Sequence, residues 1–439
     1  MTDTRLDILI LGSGGAAAQA VIALREAGFT GRVGLAAETE GAVFNPMLGP
    51  YFLKGRIPFQ DCFLHQEGFY RSYRVQLFPG SPVARLDPEK KTVRLDNGQR
   101  LGYRRCLVAT GARPKVPPIP GLELSDRCLT WRDPTSTVAL GLALDKALAR
   151  TGKVAIVGGS LIGLKAAEIC RHRGLEPTVI ELAERILPDS AHPWIAKRLE
   201  ALFAAQGVRI ITGNPPQGLE DDGSRVALTL AHGRVLTADL CLLAAGVEPS
   251  LDFIDPAQVR IDQALVVDQE QRTSVPDLFA AGDACQYQDL LTGRPRWPGL
   301  WANACHQGRV AGLNLAGRKA SFPGAVAQLV SPFFDLVFTQ VGELVPDDER
   351  TRTWSLTEPG SGHQRTALLQ FRDDRLTGFN LLGEFEEAPL LKELLVKRIP
   401  LDPVLLEEDE PSLAEALRRL NDVWAATTGQ GPLGVLSLP

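Results

Sequence analysis

No cysteine spacing of the C-x-x-C or C-x4-C kind occurs in this 439-residue chain, although it holds seven cysteines: Cys62, Cys106, Cys128, Cys170, Cys241, Cys285 and Cys305. Seven is odd for a disulfide framework, and the absence of paired spacings argues against a closed zinc site. The six histidines are scattered. Cys62 and His65 form a metal-like pair, but a tetrahedral site needs two further ligands that nothing nearby supplies. No metal is expected. Charge of one sign is also missing, since 47 Lys and Arg stand against 52 Asp and Glu for a net charge of -5, with no Lys/Arg block. Nucleic acid is therefore not an expected partner. Long apolar runs are lacking: the uncharged stretch Leu240 to Val247 falls far short of the roughly 20 residues that cross a bilayer. Asp3, Arg5 and Asp7 stand where a secretory signal would carry its apolar core, so a cytoplasmic chain with no membrane association is expected.

What is present is an internal repeat, in a chain whose 44% apolar content suffices for two or three cored domains. The apolar run Ile8 to Leu11 leads into Gly12-Ser13-Gly14-Gly15-Ala16-Ala17, then a helix-forming stretch to about Ala27 with Gly28 as its C-cap. A second strand, Arg32 to Ala37, delivers Glu38. In such a unit the first glycine makes the tight turn, the second admits a pyrophosphate against the backbone, and Ala17 allows close helix-strand packing. The helix N-terminus offers free N–H groups to phosphates, and the acidic residue accepts from a ribose. The same order recurs at Lys153 to Val157, Gly158-Gly159-Ser160-Leu161-Ile162-Gly163, a helix to about Arg173, Gly174, and the strand Thr178 to Ile180 delivering Glu181.

Each unit continues through a hairpin: Thr92 to Leu95 with the Asn97-Gly98 turn and Leu101 in one, Val226 to Leu230 with a turn at Gly233 in the other. Each closes on A-x-G-x-x-P, at Ala109 to Pro114 and Ala244 to Pro249. The first glycines stand 146 residues apart and the closing glycines, Gly111 and Gly246, 135 apart, as a duplication leaves them. The expected fold class is α/β with two Rossmann-like dinucleotide-binding units.

In this order the motifs resemble the FAD- and NAD(P)-dependent pyridine nucleotide-disulfide oxidoreductase family over about residues 6 to 405. The stretch Thr273 to Asp283 resembles the family's T-S-x-P-x-[IV]-[YF]-A-x-G-D signature, whose Asp meets the ribityl and pyrophosphate region of FAD. Trp301-Ala302-Asn303-Ala304, with Gln307, Gly308, Ala311 and Asn314, resembles the helix beside the isoalloxazine ring. Leu368 to Pro403, with Gly378, Gly383 and Leu401-Asp402-Pro403, resembles the C-terminal domain. The resemblance implies a discontinuous FAD-binding domain (1–118 and 247–324), an NAD(H)-binding domain (119–246), a C-terminal α+β domain (325–405) and a helical tail (406–439). It places FAD on Gly12, Ser13, Gly14, Ala17, Glu38, Thr110, Gly111, Gly282, Asp283 and Ala304, and NAD(H) on Gly158, Ser160, Ile162, Gly163, Glu181 and Gly246. Hydride transfer would then rest on positioning, with nicotinamide C4 about 3 to 3.5 Å from flavin N5. Glu181 accepts from the 2′-hydroxyl of NADH and repels a 2′-phosphate by on the order of 1 kcal/mol, while Arg185 nearby works the other way.

Several positions depart from the family pattern. Met47 stands where NADH oxidases and peroxidases carry their redox cysteine, and a thioether forms neither thiolate nor sulfenate. Asn45-Pro46-Met47-Leu48 instead resembles rubredoxin and ferredoxin reductases, which implies electron exchange with an iron-sulfur or rubredoxin-type protein or subunit. Trp301 then lies near flavin and nicotinamide, or serves as a buried structural residue. Ser160 replaces the second NAD glycine, Lys165 replaces the usual Glu of G-L-E-A-A, and Pro50 stands where ferredoxin reductases often have a Lys near flavin N5. Lys165 either repels the cationic NAD+ ring or turns to solvent.

Gly163-Leu164-Lys165-Ala166-Ala167 together with the missing cysteine resembles the NADH-coupling subunits of aldehyde or 2-oxoacid oxidoreductases, implying an oligomer or complex subunit. The tail, with its acidic run Glu407 to Glu410, Pro411, a helix from Ser412 to about Trp424 and the apolar end Leu433 to Pro439, offers docking surface if Trp424 and Leu436 are unpacked. Two alternatives remain: an NADH oxidase or peroxidase using Cys62, Cys285 or Cys305, and an NADH-sensing flavoprotein akin to the apoptosis-inducing factors.

Overall fold

The computed structural model describes residues 4–39, 43–65, 68–344, 348–358, 365–401 and 413–428. Asp3, Asp402, Pro403, Glu407 to Glu410, Pro411, Ser412 and Leu433 to Pro439 lie outside these.

The first sheet takes β1 (Thr4–Leu11), β2 (Val33–Ala37), β3 (Val75–Pro79), β4 (Val83–Asp87), β5 (Thr92–Leu95) and β6 (Arg100–Val108) in the order β3-β2-β1-β6-β5-β4. Pairing is parallel from β3 to β6 and antiparallel through β5 and β4. Ile8, Leu9, Ile10 and Leu11 are all buried, because a parallel strand covered on both faces needs no polar side. Helix α1 (Gly15–Glu26) follows β1, and a short α2 (Gly49–Leu53) precedes β3.

The second sheet repeats the plan with β7 (Cys128–Thr130), β8 (Lys153–Val157), β9 (Glu176–Ile180) and β10 (Arg209–Ile211), followed by an antiparallel meander β11 (Pro216–Asp221), β12 (Val226–Leu230) and β13 (Val235–Ala238), and then β14 (Leu240–Leu243). The parallel order is β7-β14-β8-β9-β10. Helices α3 (Pro134–Leu148), α4 (Leu161–His172) and α5 (Pro193–Ala205) cross between its strands.

The chain then returns to the first sheet, where β15 (Leu278–Ala280) pairs parallel with the C-terminal half of β6. Helix α6 (Trp301–Leu315) packs on α1 through small residues. A Cβ on Gly308 would stand 2.1 Å from the Ala16 carbonyl oxygen, and one on Gly312 2.4 Å from that of Ala20. Two glycines spaced i, i+4 facing two alanines spaced i, i+4 let the helix backbones nearly touch.

Five antiparallel strands complete the fold: β16 (Gln328–Phe333), β17 (Leu336–Gly342), β18 (Thr351–Glu358), β19 (Arg365–Arg372) and β20 (Arg375–Leu382), ordered β16-β17-β20-β19-β18. Helix α7 (Ala388–Val396) and the tail helix α8 (Leu413–Thr428) follow. Trp424 does not meet the condition for a docking residue: it is 2% exposed, clustered with Leu420, Leu394 and Leu395 beside Trp354 and Leu356 of β18. Leu420 and Trp424, four apart, share the apolar face that the helix lays on the sheet. No helix among the described residues is long and apolar enough to cross a membrane, and no group of three or more His, Cys, Asp or Glu among them is placed to hold a metal ion.

Candidate functional site

The two glycine loops are superposable in their bonding. Gly12 N–H donates to Ala36 O at 2.8 Å and Ala109 N–H to Leu11 O at 2.8 Å; Gly158 N–H donates to Ile180 O and Ala244 N–H to Val157 O at the same distance. Gly12 has φ +105° and Gly158 φ +116°. A Cβ on either would meet the carbonyl oxygen of the closing-motif alanine, Ala109 at 2.2 Å or Ala244 at 2.3 Å. The first glycine of each loop is thus pressed on the first residue of its own A-x-G-x-x-P. The closing motifs also pair with each other as an antiparallel ribbon, Ala112 to Pro114 against Val247 to Pro249. Arg113 bridges to Glu248 at 2.7 Å and to Asp252, while Thr110 Oγ1 donates to Ser250 O at 2.8 Å.

The first loop leaves room for a phosphate. A Cβ built on Gly14 or Gly111 meets nothing within 4 Å, and no side chain caps α1, so its leading N–H groups stay available. Ala17 is fully buried under the loop. The Ser13 hydroxyl bonds Thr39 Oγ1 at 2.8 Å, and the buried Tyr70 hydroxyl donates to Ser13 O at 3.0 Å. Glu38 stands exposed at the end of β2. Gly15, which the sequence reading left without a role, is required by Trp301: its Cβ would fall 2.8 Å from the indole Cζ2, so the ring lies across the first turn of α1.

Asp283 follows β15 and is mostly buried. Burial pushes its carboxyl above the usual carboxylate range, with Arg132 opposing through a 2.6 Å hydrogen bond. Trp297 Nε1 donates to Asp283 O at 2.8 Å, and Gln307 Oε1 accepts from Gly282 N–H at 3.0 Å. Ala304 closes on Gly282, whose Cβ would sit 3.3 Å from it. Asn303 Nδ2 is buried with no partner among the described residues. An open glycine cradle, an uncapped helix, a buried carboxylate and an orphaned amide donor fit FAD.

The second loop is arranged differently. Ser160 Oγ donates to Ala244 O at 2.9 Å and accepts from Gly163 N–H at 3.4 Å, so the hydroxyl turns into the protein and caps α4. Gly163 has no room for a Cβ, which would stand 2.0 Å from Gly158 O. Ile162 is exposed at 44%, and a Cβ built on Gly246, which has φ +96°, meets nothing within 4 Å. Glu181 accepts from Gly159 N–H at 2.6 Å and from Ala183 N–H at 2.8 Å, holding one oxygen to each. Arg185 donates from Nη2 to Pro188 O at 2.7 Å, and its buried Nε has no partner among the described residues.

Lys165 does not turn to solvent. Its side chain is buried, with Nζ 2.7 Å from Glu168 Oε2, bonded also to Pro332 O, and 4.8 Å from the Phe333 ring centroid. Burial lowers its pKa, opposed by Glu168. Glu168 in turn accepts from Lys54 Nζ at 2.5 Å and from Phe334 N–H at 3.0 Å. One buried carboxylate therefore joins the end of α2, helix α4 and β16. Glu168 was missed although it sits i+3 from Lys165 on one helix face, a visible pairing signal. Arg132 and Lys54 carried no such signal, being 151 and 114 residues from their partners.

Met47 is 60% exposed on the turn before α2. Cys62 and Cys285 are fully buried and Cys305 is half-buried, and burial raises all three thiols.

Fold and loops together define a tandem dinucleotide-binding α/β protein. The chain belongs to the pyridine nucleotide-disulphide oxidoreductase family, whose model matches residues 6–308. It is 29% identical to the NADH-dependent phenylglyoxylate dehydrogenase subunit epsilon of Aromatoleum evansii, over 95% of this chain and 97% of the other. It is 30% identical to the 5,5'-dehydrodivanillate O-demethylase ferredoxin reductase subunit of a Sphingobium species, over 81% and 88%. The fold is that of putidaredoxin reductase in its covalent complex with putidaredoxin, with a TM-score of 0.83 at 23% identity over 95% of this chain and 99% of the other.

Proposed function

We propose that this chain is an FAD-dependent NADH:acceptor oxidoreductase that exchanges electrons directly with an iron-sulfur or rubredoxin-type protein or subunit. The observation that carries the reading is the pair of matched glycine cradles, one open and one capped, in a chain with an exposed methionine where a thiol relay would stand. FAD supplies the passage from two-electron to one-electron chemistry when bound. Gly12, Ser13, Gly14, Ala17, Glu38, Thr110, Gly111, Gly282, Asp283 and Ala304 would hold it, with Arg132 and Asn303 added to that set. Gly158, Ser160, Ile162, Gly163, Glu181 and Gly246 would hold NADH, Ser160 through its main chain while its hydroxyl caps α4.

Glu181, already oriented by two backbone N–H groups, keeps lone pairs for a ribose diol and meets a 2′-phosphate with like charge. Arg185 spends one nitrogen on Pro188 O, which weakens its pull against that choice. Trp301 would shield the ring side of the flavin site, and Lys165 would act as a fixed charge held by Glu168. The full-length likeness to an NADH-dependent phenylglyoxylate dehydrogenase subunit supports a place as the NADH-coupling subunit of an aldehyde or 2-oxoacid oxidoreductase. The test is spectroscopic: purified protein carries FAD, is bleached by NADH without oxygen, and passes electrons to an artificial one-electron acceptor. Protein that neither retains FAD nor takes it up on reconstitution overturns the proposal.

A further inference from the structure

The meander β4–β5–β6 has one covered and one open face. Leu86, Val93, Leu95, Leu101 and Tyr103 are buried on the inner side. On the outer side, register sets Arg85 directly opposite Arg94 and Arg94 directly opposite Arg100. All three are exposed, and Arg104 lies on the same side two strand repeats beyond Arg100. Like charges at directly paired positions oppose sheet formation, so a row of three guanidinium groups costs stability in the free protein. The carboxylates on this face do not relieve it. Asp87 is taken by Lys90, through N–H at 3.0 Å and Nζ at 3.1 Å, and receives only through-space help from Arg85; Asp96 sits at the hairpin end. Lys91 is spent on Asp277 at 2.5 Å. Among the described residues, none of Arg85, Arg94, Arg100 and Arg104 has a carboxylate within ion-pair distance.

We propose that this arginine row is a docking face for an acidic helix of a partner protein. Neighbouring strands lie about 4.8 Å apart, so Arg85 to Arg100 spans about 10 Å across the strands. Carboxylates at i, i+4 and i+7 of a helix span about 10.5 Å along its axis, which matches the row charge for charge. Guanidinium groups meet carboxylates with two parallel hydrogen bonds each, and an array of three orients the helix as well as attracting it. The face is set by the meander alone, and it does not depend on which acceptor takes electrons from the flavin.

The probe is a labelled synthetic alanine-based helix with Glu at i, i+4 and i+7, compared with an isomer of identical composition whose Glu residues are scattered around the helix. Fluorescence anisotropy with the FAD-loaded full chain is expected to give about tenfold tighter binding of the registered peptide, weakening from about 0.05 to about 0.5 M salt. Arg94→Glu is expected to remove that preference, whereas Lys197→Glu on α5, an exposed cation elsewhere, leaves it. A second measurement needs no ligand: Arg94→Thr raises the melting temperature at low salt, and the gain disappears at about 1 M salt. Equal binding of both peptides, binding indifferent to Arg94→Glu, tighter Arg94-dependent binding of a single-stranded oligonucleotide of matched charge, or no salt-sensitive gain in Arg94→Thr overturns the inference.

Discussion

Replacing Glu168 by Gln takes one negative charge from a buried site that holds two positive ones. The Glu168 side chain is 5% exposed, and those of Lys54 and Lys165 are 8% and 11% exposed. At N–O separations of 2.5 and 2.7 Å, each attraction is gross about 6 kcal/mol at an effective dielectric of about 20. Desolvation offsets much of this, and removing one member of a buried pair costs about 3 to 5 kcal/mol net because the partner charge is stranded. Lys54 ends the short α2 and can swing to water, which places the expectation near about 3 kcal/mol. At about 2 to 4 °C per kcal/mol for a unit of this size, the melting temperature falls by about 6 to 12 °C. Calorimetry on FAD-loaded protein measures it. Adding Lys165→Met to Glu168→Gln withdraws the stranded cation and recovers part of the loss, a coupling that a double-mutant cycle isolates. A melting temperature within about 1 °C of the parent, or no recovery in the double variant, refutes the reasoning.

Gly308→Ala forces a methyl into the Ala16 carbonyl, so α6 separates from α1 and retention of FAD falls sharply; unchanged flavin content after purification counts against the close crossing. Ser160→Ala costs about 1 kcal/mol of stability through the lost cap, while the NADH dissociation constant shifts less than about twofold because the hydroxyl faces Ala244. A tenfold weakening on titration would place that hydroxyl in the nucleotide site instead, by about 1.4 kcal/mol. Joint replacement of Cys62, Cys285 and Cys305 by Ala preserves NADH-driven reduction of a one-electron acceptor; loss of turnover with FAD retained would reinstate a thiol relay. Burial pushes the Cys170 thiol up from 9.0 to about 12. The folded state therefore keeps its proton while the unfolded chain ionises, so stability is full below pH 9 and is lost as pH rises toward 12. Near pH 10 the share due to Cys170 is on the order of 1 kcal/mol, and Cys170→Ala removes that share of the fall in melting temperature.

What could be read in advance was whatever chemistry is local in sequence. Each glycine loop, its acidic residue and its A-x-G-x-x-P lie within one unit, and strand, turn and helix periods announce them. Pairing between the two closing motifs was not legible, because nothing in Ala109 to Pro114 says that its partner is Val247 to Pro249. The same holds for Arg132 with Asp283 and Lys54 with Glu168, long-range charge pairs that only the folded topology brings together. Ser160 was readable as a departure but not as a cap turned inward, since that depends on the Ala244 carbonyl 84 residues away. Trp424 misled for a different reason: a tail beyond the family's usual domains invites a docking role, whereas its spacing from Leu420 fitted an ordinary apolar face.

The crossing of α1 and α6 sets a timetable for synthesis. Every strand of the second sheet lies between residues 128 and 243, so that unit can close while the rest of the chain is still being made. The first cradle has its loop by Gly14 but lacks β15 and the glycine face of α6 until Gly308 emerges, roughly 15 to 60 s later at ordinary elongation rates. Through that interval Ala16 and Ala20 wait without their covering helix. The first cradle, proposed to hold FAD, thus closes only once both halves of its unit have emerged, and a nascent chain stalled before α6 would expose an apolar seam to chaperones or proteases.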